Sequence, residues 1–176
     1  EFRKEDLSRI LVVDDSLETL TLLTDILTNN GYKVLTASNG HTALKLVEVE
    51  APDMILLDVK MPDMDGYEVC HKLKSAEYSN RIPVIFISGI YEATSKIKGF
   101  NAGCVDYITK PFQIEEVLAR VETHLALSHL QRQLENQNIH LQQEITEREH
   151  AEEELRRHKV HLEELVAERT AKLRVT

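Results

Sequence analysis

The hydrophobic pattern divides the chain into two regimes. Up to about residue 112, runs of four or five mostly apolar residues alternate with longer stretches in which apolar residues recur at helical spacing. The runs Ile10–Val13, Val34–Ala37, Met54–Leu57, Val84–Ile87 and Val105–Ile108 are rich in Val and Ile and nearly continuous, as strands buried on both faces require. Between them, Ser16–Asn29, Thr42–Glu50, Tyr67–Ser75 and Thr94–Asn101 read as amphipathic helices, with Asn30-Gly31 as a C-terminal stop. A fifth helix is expected from about Ile114, after Lys110-Pro111-Phe112. Strand and helix in alternation predict parallel strands joined by right-handed crossovers, an open α/β sandwich.

Beyond His124 the period changes to seven. Leu127, Leu134, Leu141, Leu155 and Leu162 fall on one heptad lattice, with Arg148 and Arg169 in its two other places. With these as d, the a positions are Gln131, Asn138, Ile145, Glu152, Lys159, Val166 and Leu173. A sustained heptad predicts a coiled coil, and Asn138 at an a site favours a two-stranded parallel pair. The expected seam is therefore Leu127, Leu134, Asn138, Leu141, Ile145, Leu155, Leu162, Val166 and Leu173 of a parallel homodimer. Arg148 and Glu152 weaken its middle, where a stutter would unwind it locally. A helix unbroken from Ile114 to the end would be about 90 Å long.

Composition sharpens this division. All six glycines and all four prolines lie at or before position 111, so the rest of the chain lacks both turn-formers. The expected domains are 1–125, an α/β unit, and 126–176, a helix. A net charge of −9 argues against a phosphate-binding surface. Residues 126–176 carry ten acidic and eight basic residues, not the basic region of a DNA-binding zipper. Neither direct nucleic-acid binding nor a membrane span is expected, since no apolar run approaches about 20 residues. Two cysteines are too few for a disulfide framework, and the expected location is the cytoplasm.

In a parallel α/β sheet the ligand crevice lies at the carboxyl ends of the strands. Asp14 and Asp15 follow the first strand, Asp58 the third, Ser88 the fourth and Lys110 the fifth. Asp14 or Asp15 alone would serve as a helix cap. A cap explains one carboxylate, not three. Gathered carboxylates raise one another's pKa unless a cation offsets them, and an all-oxygen cluster suits a hard ion such as Mg²⁺ or Mn²⁺. Magnesium needs only one or two protein carboxylates, which leaves one to act as a nucleophile toward phosphorus. Asp58, between the acidic pair and Lys110, is the candidate.

VVDDS, LLDVKMPDMDG, VIFISG and DYITKPF, in this order and spacing, resemble the receiver domain of two-component response regulators, the CheY-like, flavodoxin-like fold, over roughly residues 8–125. The resemblance implies a five-stranded parallel sheet of order 2-1-3-4-5. It makes Asp58 the phosphoacceptor, and Asp14, Asp15, Asp58 and the backbone carbonyl of Lys60 the metal shell. It also makes Ser88 and Lys110 contacts to the phosphoryl group, Tyr107 a switch that follows inward on phosphorylation, and the bond to Pro111 cis. Lys60 and Ile90 fall at positions that tune dephosphorylation in the family. A histidine kinase or phosphotransfer protein is the implied donor. The tail is similar to linker helices that join receivers to sensor, kinase or diguanylate cyclase domains, so an output domain is expected beyond Thr176.

Rival readings fit less well. A calcium loop at MPDMDG would need an oxygen ligand at Met61 and a glutamate at Lys72. A haloacid-dehalogenase phosphatase needs an aspartate where Lys60 stands, and a flavodoxin-like crevice lined with carboxylates would repel the FMN phosphate. His150, His158 and His161 read as residues of an exposed helix rather than ligands or phosphoacceptors. A constitutive coiled-coil scaffold with an unused pocket is the remaining alternative.

Overall fold

The computed structural model describes residues 7–89 and 95–174. The first unit, Glu1–His129, and the second, Leu130–Thr176, are two compact bodies. In chain order the elements are β1 (Arg9–Val13), α1 (Leu17–Asn29), β2 (Lys33–Ala37), α2 (Gly40–Glu50), β3 (Met54–Asp58), α3 (Gly66–Ser75), β4 (Val84–Gly89), α4 (Ser95–Ala102), β5 (Asp106–Lys110) and α5 (Ile114–Arg174). The strands form one parallel sheet of order β2-β1-β3-β4-β5, as expected for a flavodoxin-like α/β domain.

The near-continuous apolarity of the central strands has a direct cause. Leu11, Val13, Ile55, Leu57, Phe86 and Tyr107 face one side, where Val47 of α2 and Val69 and Leu73 of α3 cover them. Their neighbours Ile10, Val12, Met54, Leu56, Ile85, Ile87 and Ile108 face the other, against Leu20, Leu23 and Leu27 of α1 and Val117, Val121 and Leu125 of α5. Each such buried side chain contributes about 1.5–3 kcal/mol by transfer from water. The ends of α1 follow the local signals: Ser16 accepts a hydrogen bond from the Thr19 N–H as N-cap, and Gly31 adopts φ +86° after the Asn30 C-cap.

Most element boundaries shift by one or two residues, and three of the shifts have a visible cause. β5 runs from Asp106 to Lys110 rather than from Val105 to Ile108, because its ladder with β4 continues to the Gly89–Lys110 pair while Val105 is partly exposed. As the edge of the sheet, β5 tolerates polar residues that an apolar pattern excludes. α2 begins at Gly40, two residues before Thr42, since Asn39 provides the cap. α1 begins at Leu17, with Ser16 outside it. Ile90 and Thr94 lie outside the described residues.

In the second unit the helix exposes its seam. Leu134, Leu141, Ile145, Leu155, Leu162 and Val166 are between 53% and 70% exposed, and Asn138 is exposed too. Leu127, just inside the first unit, is 55% exposed. The side chain of Leu173 lies outside the described residues. No helix among the described residues is long and apolar enough to cross a membrane.

Candidate functional site

The site is built at the carboxyl ends of β1, β3, β4 and β5. β1 ends in Val13, and the turn into α1 carries Asp14, fully buried, and Asp15, exposed. The Asp14 carboxylate is held from below by the Ser16 N–H at 2.8 Å and from the side by the Lys110 Nζ at 2.7 Å. β3 ends in Asp58, also buried, with Lys110 Nζ 3.3 Å from its Oδ1. Carboxylate oxygens of Asp14, Asp15 and Asp58 lie within 4.8 Å of one another. Buried Ser88 lies on β4 one pair beyond the Asp58–Ile87 register pair, and Lys110 ends β5.

The electrostatics are those of a crowded acidic pocket. Burial pushes the Asp58 carboxyl up to about 6, the Asp14 charge adds to this, and Lys110 together with a backbone hydrogen bond from Lys60 pulls the other way. Burial lowers the Lys110 ammonium, yet its bonds to Asp14 and Asp58 outweigh that and raise it. One ammonium thus serves two of the three carboxylates. An all-oxygen donor set with two buried carboxylates, one open to solvent, and a lysine already drawn between two of them fits a hard divalent cation.

The loop after β3 is shaped by a close approach. Gly66 N–H donates to the Val59 carbonyl at 2.9 Å, and a Cβ at Gly66 would lie 2.3 Å from the Asp58 carbonyl oxygen. Any side chain there would push away the strand end that carries Asp58. The Lys110–Pro111 peptide bond is cis.

The Tyr107 ring is buried in this structure. It is 5% exposed, packs on Phe86 at 5.4 Å between centroids, and Phe86 meets Tyr67 edge-on at 5.2 Å. Gly99 of α4 makes the space: a Cβ there would lie 1.4 Å from the Tyr107 hydroxyl. Sequence reading missed this notch, although a glycine inside a short helix is its signal.

A second missed cluster ties β5 to α5. Asp106 Oδ2 accepts from Arg120 Nη1 at 2.6 Å and lies 3.0 Å from His124 Nε2, and its Oδ1 accepts the Tyr107 N–H at 2.8 Å. Burial pushes the Asp106 carboxyl up, but His124, the Tyr107 N–H and Arg120 together hold it below the usual range. The i, i+4 spacing of Arg120 and His124 put them on one helix face, while their acid partner, 14 and 18 residues away, was not legible locally.

Comparison with known proteins agrees with this arrangement. The family model for the response regulator receiver domain matches residues 10–122. The alkaline phosphatase synthesis transcriptional regulatory protein PhoP of Bacillus subtilis is 43% identical over 122 residues, 69% of this chain and 50% of its own length. The protein named "Probable cyclic di-GMP phosphodiesterase" of Vibrio cholerae is 38% identical over 146 residues, 82% of this chain and 33% of its own. Among solved structures, the signal receiver domain of a signal transduction histidine kinase from Syntrophus aciditrophicus superposes with a TM-score of 0.64 at 33% identity, covering 68% of this chain and 90% of that one. The chain spans half or less of the length of these two curated relatives. With the sheet order, the acidic pocket and the lysine in place, the chain belongs to the response regulator receiver domain family of two-component systems.

Proposed function

We infer that this receiver takes a phosphoryl group on Asp58 from a histidine kinase or phosphotransfer protein in the cytoplasm. The observation that carries the reading is the buried Asp58 carboxylate, 3.3 Å from the Lys110 ammonium and within 4.8 Å of two further carboxylates. Mg²⁺ or Mn²⁺ would be held by Asp14, Asp15, Asp58 and the backbone carbonyl of Lys60. When bound, it supplies positive charge to offset the carboxylates and the phosphoryl oxygens.

The chain's own groups do the rest. With its pKa at about 6, Asp58 is mostly ionised at neutral pH, and its Oδ attacks phosphorus as the bond from phosphorus to the donor's imidazole nitrogen breaks. Lys110 and the Ser88 hydroxyl take up the oxygens of the transferred group. Lys110 is then drawn from Asp14 toward the new charge, which pulls on the end of β5. Since the Tyr107 ring is already inside, phosphorylation selects this packed arrangement of Phe86, Gly99 and Tyr107 over others rather than creating it. The Asp106 cluster passes the strand's position to Arg120 and His124 of α5.

The helix of residues 126–176 then acts as a parallel homodimeric coil leading to an output domain, with residues 1–125 as the receiver. Two facts support this. Its leucines are exposed in a single chain, and the match to the Vibrio cholerae protein is too long to fit without entering that helix. The scaffold reading is not favoured, because no pocket residue is missing.

Mass spectrometry after treatment with acetyl phosphate and Mg²⁺ tests the core of this reading. One added phosphoryl group, absent in Asp58→Asn, is the expected result; no gain in the intact chain would overturn it.

A further inference from the structure

The seam of the second unit is interrupted by charge in a particular way. Arg148 and Glu152 occupy consecutive d and a positions between Ile145 and Leu155, and within one chain they already pair, Nε to Oε1 at 2.9 Å. Such i, i+4 pairs are common on helix surfaces and contribute little there. This one differs in position. The close pairs of Glu153 with Arg156 and Arg157, and of Glu168 with Lys172, lie at b, c, e, f and g positions, off the seam. Arg148 is also the only Lys or Arg between Arg132 and Arg156, a stretch with seven acidic residues. The one cation in an acidic stretch therefore falls on the face that the heptad turns toward a partner.

We propose that Arg148 and Glu152 form an ionic layer by which the helix selects a second copy of itself, parallel and in register. The proposal rests on the coiled-coil reading above and adds what decides partner and register. In an in-register parallel pair the d layer of Arg148 adjoins the a layer of Glu152, so each arginine lies between its own glutamate and the partner's. Four charges close into a neutral ring, and each copy supplies both signs.

Other alignments leave charges or amides against leucine. A slip of one heptad sets Arg148 against Leu155 and Asn138 against Ile145. An antiparallel pair that preserves the Arg148–Glu152 contact sets Asn138 against Leu162 and Leu141 against Lys159. A polar group that loses its partner at a closed seam costs free energy, whereas the in-register pair matches Asn138 with its own copy.

The test uses the full chain and two single variants, Arg148→Glu and Glu152→Arg, distinguished by mass. Each variant alone should dimerise about tenfold more weakly in sedimentation equilibrium, since four like charges then meet at the layer. An equimolar mixture should regain the dimer, and native mass spectrometry should find mainly the mixed species. A mixture with the statistical half of mixed dimers overturns the ionic layer while the dimer reading stands. A wild-type chain that stays monomeric overturns both. A Leu134→Cys chain should also form an interchain disulfide at that position, the native Cys70 and Cys104 being buried; a dimer without that crosslink overturns the parallel register.

Discussion

The two units treat apolar residues and charge in opposite ways. In the first, the apolar residues of the central strands are buried on both faces of the sheet, and the buried carboxylates Asp14 and Asp58 gather in one pocket, where burial of Asp58 opposes folding. In the second, Leu134, Leu141, Ile145, Leu155, Leu162 and Val166 of the seam stay more than half exposed, and charges pair along the helix surface. A unit that buries its own core is stable at any concentration. A helix with an exposed seam gains its packing only from a second chain, so its order depends on concentration.

The largest test of this contrast is a matched pair of truncations. Leu56→Ala, at a fully buried site, should cost about 2–5 kcal/mol in denaturant unfolding, independent of protein concentration. Leu141→Ala should leave that transition unchanged and weaken dimerisation about tenfold or more by sedimentation. Should Leu141→Ala lower the first unit's stability, the contrast between the units breaks.

Gly99→Ala should come next. Its Cβ would occupy the Tyr107 hydroxyl position, so the ring leaves its place beside Phe86 at a cost of about 3 kcal/mol. Tyrosine accessibility to a quencher and the melting temperature would read it together.

Asp58→Asn should act in the opposite direction. A carboxyl raised from its ordinary value to about 6 binds its proton more tightly in the folded state. Stability of the metal-free domain should therefore increase as pH falls from 7 toward 4, with the full cost present above 6. Asn removes that cost, so the variant should be more stable at pH 7.5 by on the order of 2 kcal/mol, and its stability should lose most of the slope between pH 4 and 6. Magnesium should raise the melting temperature of the wild type much more than that of the variant, and chelation should reverse this.

The smallest effect is expected at the end of α2. Ala51 holds φ +43°, a left-handed conformation that disfavours a Cβ, so Ala51→Gly should stabilise by about 0.5–1 kcal/mol in thermal unfolding. A loss instead would place the cost of glycine's freedom in the unfolded chain above the relief of strain.

Much of this molecule was legible locally. Continuous apolar runs marked the strands because both faces of the sheet are covered, and the residues after those runs marked the pocket because parallel strands end together. Asp14, Asp15, Asp58 and Lys110, up to 96 residues apart, converge for that reason alone. The β5 boundary was misread since its register is set by a ladder to Gly89 and not by its own apolarity. The buried position of Tyr107 depends on Gly99, on another element.

The sequence by itself determined which segments are strands and helices, which face of each is apolar, and that the tail repeats in sevens, since periodicity and side-chain chemistry act over one or two turns. Only the tertiary structure decided that one lysine serves two carboxylates, that a glycine holds space for the Tyr107 ring, and that Asp106 joins β5 to α5 through Arg120 and His124. Those contacts join residues distant in the chain, and their distances and burial exist only after the layers have packed.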